Sequence, residues 1–359
     1  MLRINSISLF QFKNYASRKF LFSERVVGIH GMNGRGKTNL LDAIYYLCFT
    51  KSYFTRSDQQ NVLNGASGFR VQGTAQLADN DHDLVCVLRE TGKKEFSIDG
   101  DMYDRLSEHV GKFPAVIIAP DDVYIITEAS EERRRLIDAI LSQTDHQYLL
   151  TLMDYNRVLQ QRNSYLRNTE FQRLDRRLMD VYDEQLVKHG SYVFQVRKRF
   201  LASFIPEVIK YYGQIAGEHE GLELMYKSQL HDVDMAELIM NHRDRDMASQ
   251  RTNAGTHRDD LEILLNERSF KSMASQGQRK SLLFALKLAE FEALKKNKGF
   301  SPLLLLDDVF EKLDEHRMHN LLQHVCLQED VQLFITDTHG ERIKEHMAKI
   351  GVTFQLVQI

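Results

Sequence analysis

The 359-residue chain is 43% hydrophobic and 27% charged, with a net charge of −3, which suits a globular protein long enough for one two-lobed unit or two domains. This balance excludes nucleic-acid binding by bulk positive charge, and no apolar run approaches the roughly eighteen residues of a membrane span. The opening residues lack the layout of a signal peptide, and Cys48, Cys86 and Cys326 lack metal-ligand spacing, so the chain reads as a cytoplasmic protein with reduced thiols.

In chain order, "LRINSISLFQF" (2–12) and "RKFLFS" (18–23) read as strands, and "RVVGIHG" (25–31) as a buried strand. The last runs into Gly31-Met32-Asn33-Gly34-Arg35-Gly36-Lys37-Thr38, the G-x-x-x-x-G-K-T pattern of a P-loop. Gly31, Gly34 and Gly36 let the backbone wrap so that successive N–H groups face phosphate oxygens. The helix that follows, "NLLDAIYYLCF" (39–49), adds the positive end of its dipole. All eight loop residues are therefore candidate ATP ligands, with Lys37 reaching the β- and γ-phosphates and the Thr38 hydroxyl binding Mg2+.

Residues 69–118 are strand-rich, with turns at Thr91-Gly92 and Asp99-Gly100. From about 120 to 250 the pattern becomes long helical periodicity, with Ser130 the expected cap of one helix and acids in the turn after it. Residues 151–200 carry ten Lys or Arg against six acids, which reads equally as a DNA groove or as a solvated face. Arg133, Arg134 and Arg135 are candidate contacts to phosphate, with a salt-bridged helix face as the alternative. Strand character returns with "LEILLN" (261–266), followed by a helix over "QRKSLLFALKLAEFEALKKN" (278–297) and then by the strands "SPLLLLDD" (301–308) and "DVQLFITDT" (330–338). Early and late strands are expected to share one sheet, with the helical segment inserted between them. The run of leucines delivers Asp307 and Asp308 at a strand's C-terminal end, where open α/β sheets place ligands. Asp307 is expected to bind Mg2+ and Asp308 to polarise the attacking water.

Ser275-Gln276-Gly277-Gln278 opens an amphipathic helix ahead of that aspartate pair. Together with the P-loop and the leucine–aspartate strand, it resembles the signature motif of ABC-type ATPases. The resemblance implies that Ser275 to Gln278 close over the γ-phosphate held by the P-loop of a second copy, so that ATP joins a homodimer. It also makes Thr338 and His339 candidate γ-phosphate sensors, with Asp337 beside them. Residues 39–274 are too few, and their helices too interrupted, for the long coiled coil of the SMC proteins.

Further strings narrow the resemblance. "LFQFKNYASRKFLF" with Phe12 to Tyr15, "APDDVYIITEASEERRRLIDAIL" with Pro120, Asp121, Asp122 and the three arginines, and "AGTHRDDLEILL" (254–265) occur together and in order. In this combination the chain resembles the RecF family over nearly its whole length. Tyr15 reads as a core residue or as an adenine stack. His257, Arg258, Asp259 and Asp260 read as an interface or as turn residues.

The resemblance implies an α/β fold: an ABC-type P-loop ATPase head with an inserted, mainly helical lobe and no long coiled coil. Lobe I would comprise 1–118 and 280–359, and lobe II 119–279. It further implies ATP and Mg2+ as cofactors, slow DNA-stimulated hydrolysis, and an ATP-dependent homodimer on double-stranded, gapped or junction DNA. RecO, RecR and functionally RecA would be its partners in recombinational repair, replication restart and the SOS response. An ABC transporter subunit and a P-loop kinase are the competing readings.

Overall fold

The computed structural model describes residues 1–78, 80–169, 175–217, 220–309, 322–323, 325–326 and 330–359. They divide into two compact units, one of Met1–Val123, Gln214–Gly217 and Gln276–Ile359, the other of Tyr124–Gly213 and Glu218–Ser275. The main boundaries thus stand at 123/124 and 275/276, against 118/119 and 279/280 read from the sequence.

The first unit holds two sheets. β1 (Leu2–Phe12), β2 (Tyr15–Leu21), β4 (Phe69–Leu77), β5 (Asn80–Leu88), β6 (Lys94–Ile98) and β7 (Asp101–Met102) form an antiparallel sheet in the order β2-β1-β4-β5-β6-β7. The inward residues of β1 change parity from Leu2 and Ile4 to Ile7 and Leu9, because a register shift falls between Ile4 and Ser6. The second sheet is parallel and contains β3 (Val26–His30), β8 (Ala115–Ile118), β12 (Leu303–Leu306), β13 (Leu333–Asp337) and β14 (Gln355–Gln358), in the order β14-β3-β13-β12-β8. Every residue of β8, β12 and β13 is buried, as the continuous apolar runs of a covered parallel sheet require. Helix α1 (Lys37–Phe49) touches strands of both sheets and is buried from Leu40 to Phe49. A helix that is apolar on nearly all sides belongs between two layers, and α1 stands at the centre of this unit's core.

The second unit carries α2 (Tyr124–Thr127), α3 (Ser130–Thr144), α4 (His146–Asn168), α6 (Met235–Ser249) and most of the 41-residue α5 (Arg176–Ala216). It also contains a small antiparallel sheet, β11-β10-β9, from β9 (Leu222–Lys227), β10 (Asp260–Leu265) and β11 (Arg268–Ser269), followed by α7 (Phe270–Met273). Two sequence expectations change here. The strand "LEILLN" pairs within this unit rather than with the P-loop sheet, because β9 supplies a local antiparallel partner. Ser130 is the first residue of α3 rather than its cap, and its hydroxyl accepts a hydrogen bond from Arg134. Two buried arginines tie the helices together. Arg162 donates to Asp183, Asp246 and Thr252, and Arg197 to Asp138, Asp259 and the Thr256 carbonyl.

Candidate nucleotide-binding site

The P-loop leaves the C-terminal end of β3 and turns into α1 with Gly31, Gly34 and Gly36 at φ +155°, +79° and +115°. The turn is braced from the β1–β2 hairpin. Asn14 Nδ2 donates to the Arg35 carbonyl at 2.8 Å, and the Tyr15 hydroxyl donates to the Gly36 carbonyl at 2.9 Å. Asn39 in turn donates to Asn14 Oδ1 at 2.8 Å. Two consecutive loop carbonyls are thereby engaged by side chains of the hairpin. Tyr15 is buried, its phenol pushed up to about 12 by that burial, so it is a brace of the loop within the core.

Lys37 is buried at the start of α1 and donates to the carbonyls of Gly31 at 2.8 Å and Met32 at 3.3 Å. The Thr38 hydroxyl donates to both oxygens of Asp307, at 2.9 and 3.1 Å. Asp307 follows β12 directly, its N–H bonded to the Ile118 carbonyl of β8 at 2.8 Å. Burial holds the Asp307 carboxyl above the usual carboxylate range, opposed by hydrogen bonds from Thr336 and Thr38. The two sequence motifs, 269 residues apart, therefore meet through one hydroxyl–carboxylate contact.

Asp308 lies next to Asp307 in the left-handed backbone region at φ +50°. Its N–H donates to the Thr336 hydroxyl at 2.9 Å, and that hydroxyl donates to Asp307 Oδ1 at 2.8 Å. Thr336 was not singled out in the sequence; only its place at the end of a strand beside β12 could have drawn attention to it. Two residues on, Thr338 is half-buried and His339 exposed. Asp337 is buried, faces Arg342 at 3.3 Å, and accepts from the His339 N–H at 2.6 Å. These bonds fix the turn that carries the two candidate sensors.

The signature residues begin α8 (Gln276–Lys298), with Ser275 and Gln276 exposed and Gly277 and Gln278 half-exposed. Deeper in α8, buried Lys287 lies 3.3 Å from Glu290 and 3.8 Å from Asp122, whose carboxylate accepts from the Tyr53 hydroxyl. The acidic pair of the "APDD" string thus has an internal role at Asp122.

The remaining candidates lie in the second unit, most of them engaged internally. Arg133 grips both oxygens of Asp260 at 2.7 and 3.0 Å, and Arg134 donates to the Asp259 carbonyl at 2.6 Å. Arg135 is exposed and pairs with Glu131 and Glu132. Asp259 accepts from Tyr226 at 2.6 Å and Arg197 at 3.1 Å. His257 bonds the Tyr155 hydroxyl through Nδ1 and the Thr252 carbonyl through Nε2, and burial pushes its pKa down to about 4. Of the "THRDD" turn, Arg258 is the exposed residue. The basic stretch 151–200 also changes character, because Arg162 and Arg197 are interior side chains.

A P-loop, a buried carboxylate at the end of a strand two places away in the same sheet and a signature turn at the head of a long helix define an ATPase head of the ABC/SMC type. The RecF/RecN/SMC N-terminal domain family matches residues 3–358. The DNA replication and repair protein RecF of Flavobacterium johnsoniae is 38% identical over the full length of both chains. The RecF of Cytophaga hutchinsonii is 39% identical over 94% of this chain and 90% of its own. A solved RecF–ATP structure of the RecFOR pathway superposes with a TM-score of 0.86 at 30% identity, covering 94% of this chain and 92% of that one. The SMC head of Pyrococcus furiosus, at TM-score 0.54 and 16% identity over 98% and 92% of the two chains, shares the fold. The chain belongs to the RecF family.

Proposed function

We propose that the protein is an ATP-gated DNA clamp of recombinational repair and replication restart. The observation that carries this reading is the contact between Thr38 and Asp307, which joins the P-loop to the carboxylate strand in a chain whose relatives include an ATP-bound RecF. Lys37 and the loop N–H groups hold the phosphates, and Asp308 orients the attacking water.

The donor set fits Mg2+. Thr38 and Asp307 offer hard oxygen atoms, and among the described residues no three His, Cys, Asp or Glu side chains could enclose a metal unaided. Mg2+ is characteristically taken by one or two protein oxygens together with substrate phosphates and water. When bound it neutralises charge on the phosphates.

Ser275 to Gln278 serve the nucleotide of a second copy, so that two chains close on two ATP molecules and grip DNA by its backbone, largely without regard to sequence. Thr338 and His339 sense the γ-phosphate. The clamp acts on gapped or junction DNA with RecO and RecR as partners in loading RecA, a reading supported by the repair proteins among the relatives and the RecFOR pathway of the solved neighbour, and slow DNA-stimulated hydrolysis resets it. The transporter reading is disfavoured by the repair proteins among the relatives. Ser275→Arg tests the composite site. ATP-dependent dimerisation and turnover should disappear while nucleotide binding persists, and unchanged turnover would remove the role in trans.

A further inference from the structure

We propose that Thr336 is a positioning residue that holds Asp307 and Asp308 in their working arrangement. The inference rests on the reading that these two carboxylates serve ATP hydrolysis, and it adds a residue that neither motif contains. Thr336 is fully buried on β13, between β3 and β12. A hydroxyl has one proton to donate and lone pairs to accept with. Here the proton goes to Asp307 Oδ1 at 2.8 Å and a lone pair receives the Asp308 N–H at 2.9 Å. One side chain on a neighbouring strand thus fixes the carboxylate of the first residue and the backbone of the second.

The second bond matters because Asp308 stands at φ +50°, a conformation that L-residues adopt only with local support, aspartate being among the more tolerant. An extended backbone at Asp308 would send its carboxylate along a different path from the one the turn gives it. Thr38 also grips Asp307, but from the P-loop, whose hydroxyl has its own task toward the metal. Thr336 belongs to the rigid sheet and to neither nucleotide motif. Removing such a supporting hydrogen bond characteristically costs about 10- to 100-fold in metal affinity or activity.

The test compares Thr336→Val, Thr336→Ser and Asp308→Asn in the full chain. Three readouts are used: ATP turnover, fluorescent-nucleotide affinity titrated against Mg2+, and thermal unfolding. Thr336→Val should lower turnover and raise the Mg2+ needed for tight nucleotide binding, each by about 10- to 100-fold. Affinity measured in chelator should stay within about twofold, because the P-loop is untouched, and Thr336→Ser should restore the native values. If Thr336→Val fails to fold, Thr336→Ala removes the same hydroxyl without adding bulk and is held to the same result. Native turnover and Mg2+ dependence in the folded hydroxyl-free variant would overturn the proposal. So would a serine variant as impaired as the valine, which would assign the effect to methyl packing. Asp308→Asn separates the two claims. If it turns over normally, the hydrolytic reading of Asp308 falls, while the Mg2+ titration, which needs no turnover, still decides Thr336.

Discussion

At Gly36 the backbone stands at φ +115°, and a Cβ there would lie 2.7 Å from Asn14 Nδ2 and 2.9 Å from the Tyr15 hydroxyl. The phosphate loop is therefore held by contacts from outside itself as well as by its glycines. Tyr15→Phe keeps the ring and deletes the bond to the Gly36 carbonyl. At a typical net value of about 1 kcal/mol for one hydrogen bond, nucleotide affinity should weaken about fivefold, as read by fluorescent-ATP titration. An affinity equal to that of the native chain would show that the loop holds its shape alone. Asp308→Asn should leave nucleotide binding intact and lower single-turnover hydrolysis by about 100-fold or more, since general-base assistance is characteristically worth that much.

At the scale of elements, each unit has a buried group whose protonation or charge bears on its stability. In the first unit, His109 bonds the Leu47 carbonyl at the end of α1 at 2.6 Å, and its ring centroid lies 4.2 Å from that of Phe96. Burial pushes its pKa down to about 4, below the unfolded value of about 6.5. The unfolded chain therefore takes up the proton first, and stability falls as pH drops from about 6.5 through about 4, by at most about 3 kcal/mol. His109→Gln should flatten the dependence of the urea midpoint on pH in that window, and an unchanged slope would refute the assignment. In the second unit, Arg197→Met would strand the carboxylates of Asp138 and Asp259 without their guanidinium. Breaking a buried pair in this way costs about 3–5 kcal/mol, a loss that should show as a lower unfolding midpoint.

These elements also explain what the sequence revealed. The P-loop and the leucine–aspartate strand were legible because their demands are local: glycines at fixed offsets, a run of apolar residues, acids at its end. The separate antiparallel sheet was not legible as such, since β1 must find β4 more than fifty residues away and alternation carries no record of the partner. The buried arginines misled for the same reason. Arg162 meets Asp246 84 residues later and Arg197 meets Asp138 59 residues earlier, so a count of charge in one window mixes interior side chains with exposed ones. Thr336 was hidden because nothing about a threonine in an apolar strand distinguishes a brace from a filler.

For the whole molecule, the proposed clamp joins the P-loop of one copy to the exposed turn at Ser275 of a second. DNA gripped through phosphates should be released as salt rises, with the logarithm of the affinity falling linearly against the logarithm of the salt concentration. The most direct test is fluorescence anisotropy of a labelled gapped duplex, with sedimentation of the same samples, in three states: no nucleotide, ADP, and a slowly hydrolysed ATP analogue with Mg2+. An ATP-gated clamp should give a dimer and tight, salt-sensitive DNA binding with the ATP analogue alone. A monomer in all three states, or a dimer that ignores DNA, would rule the clamp out.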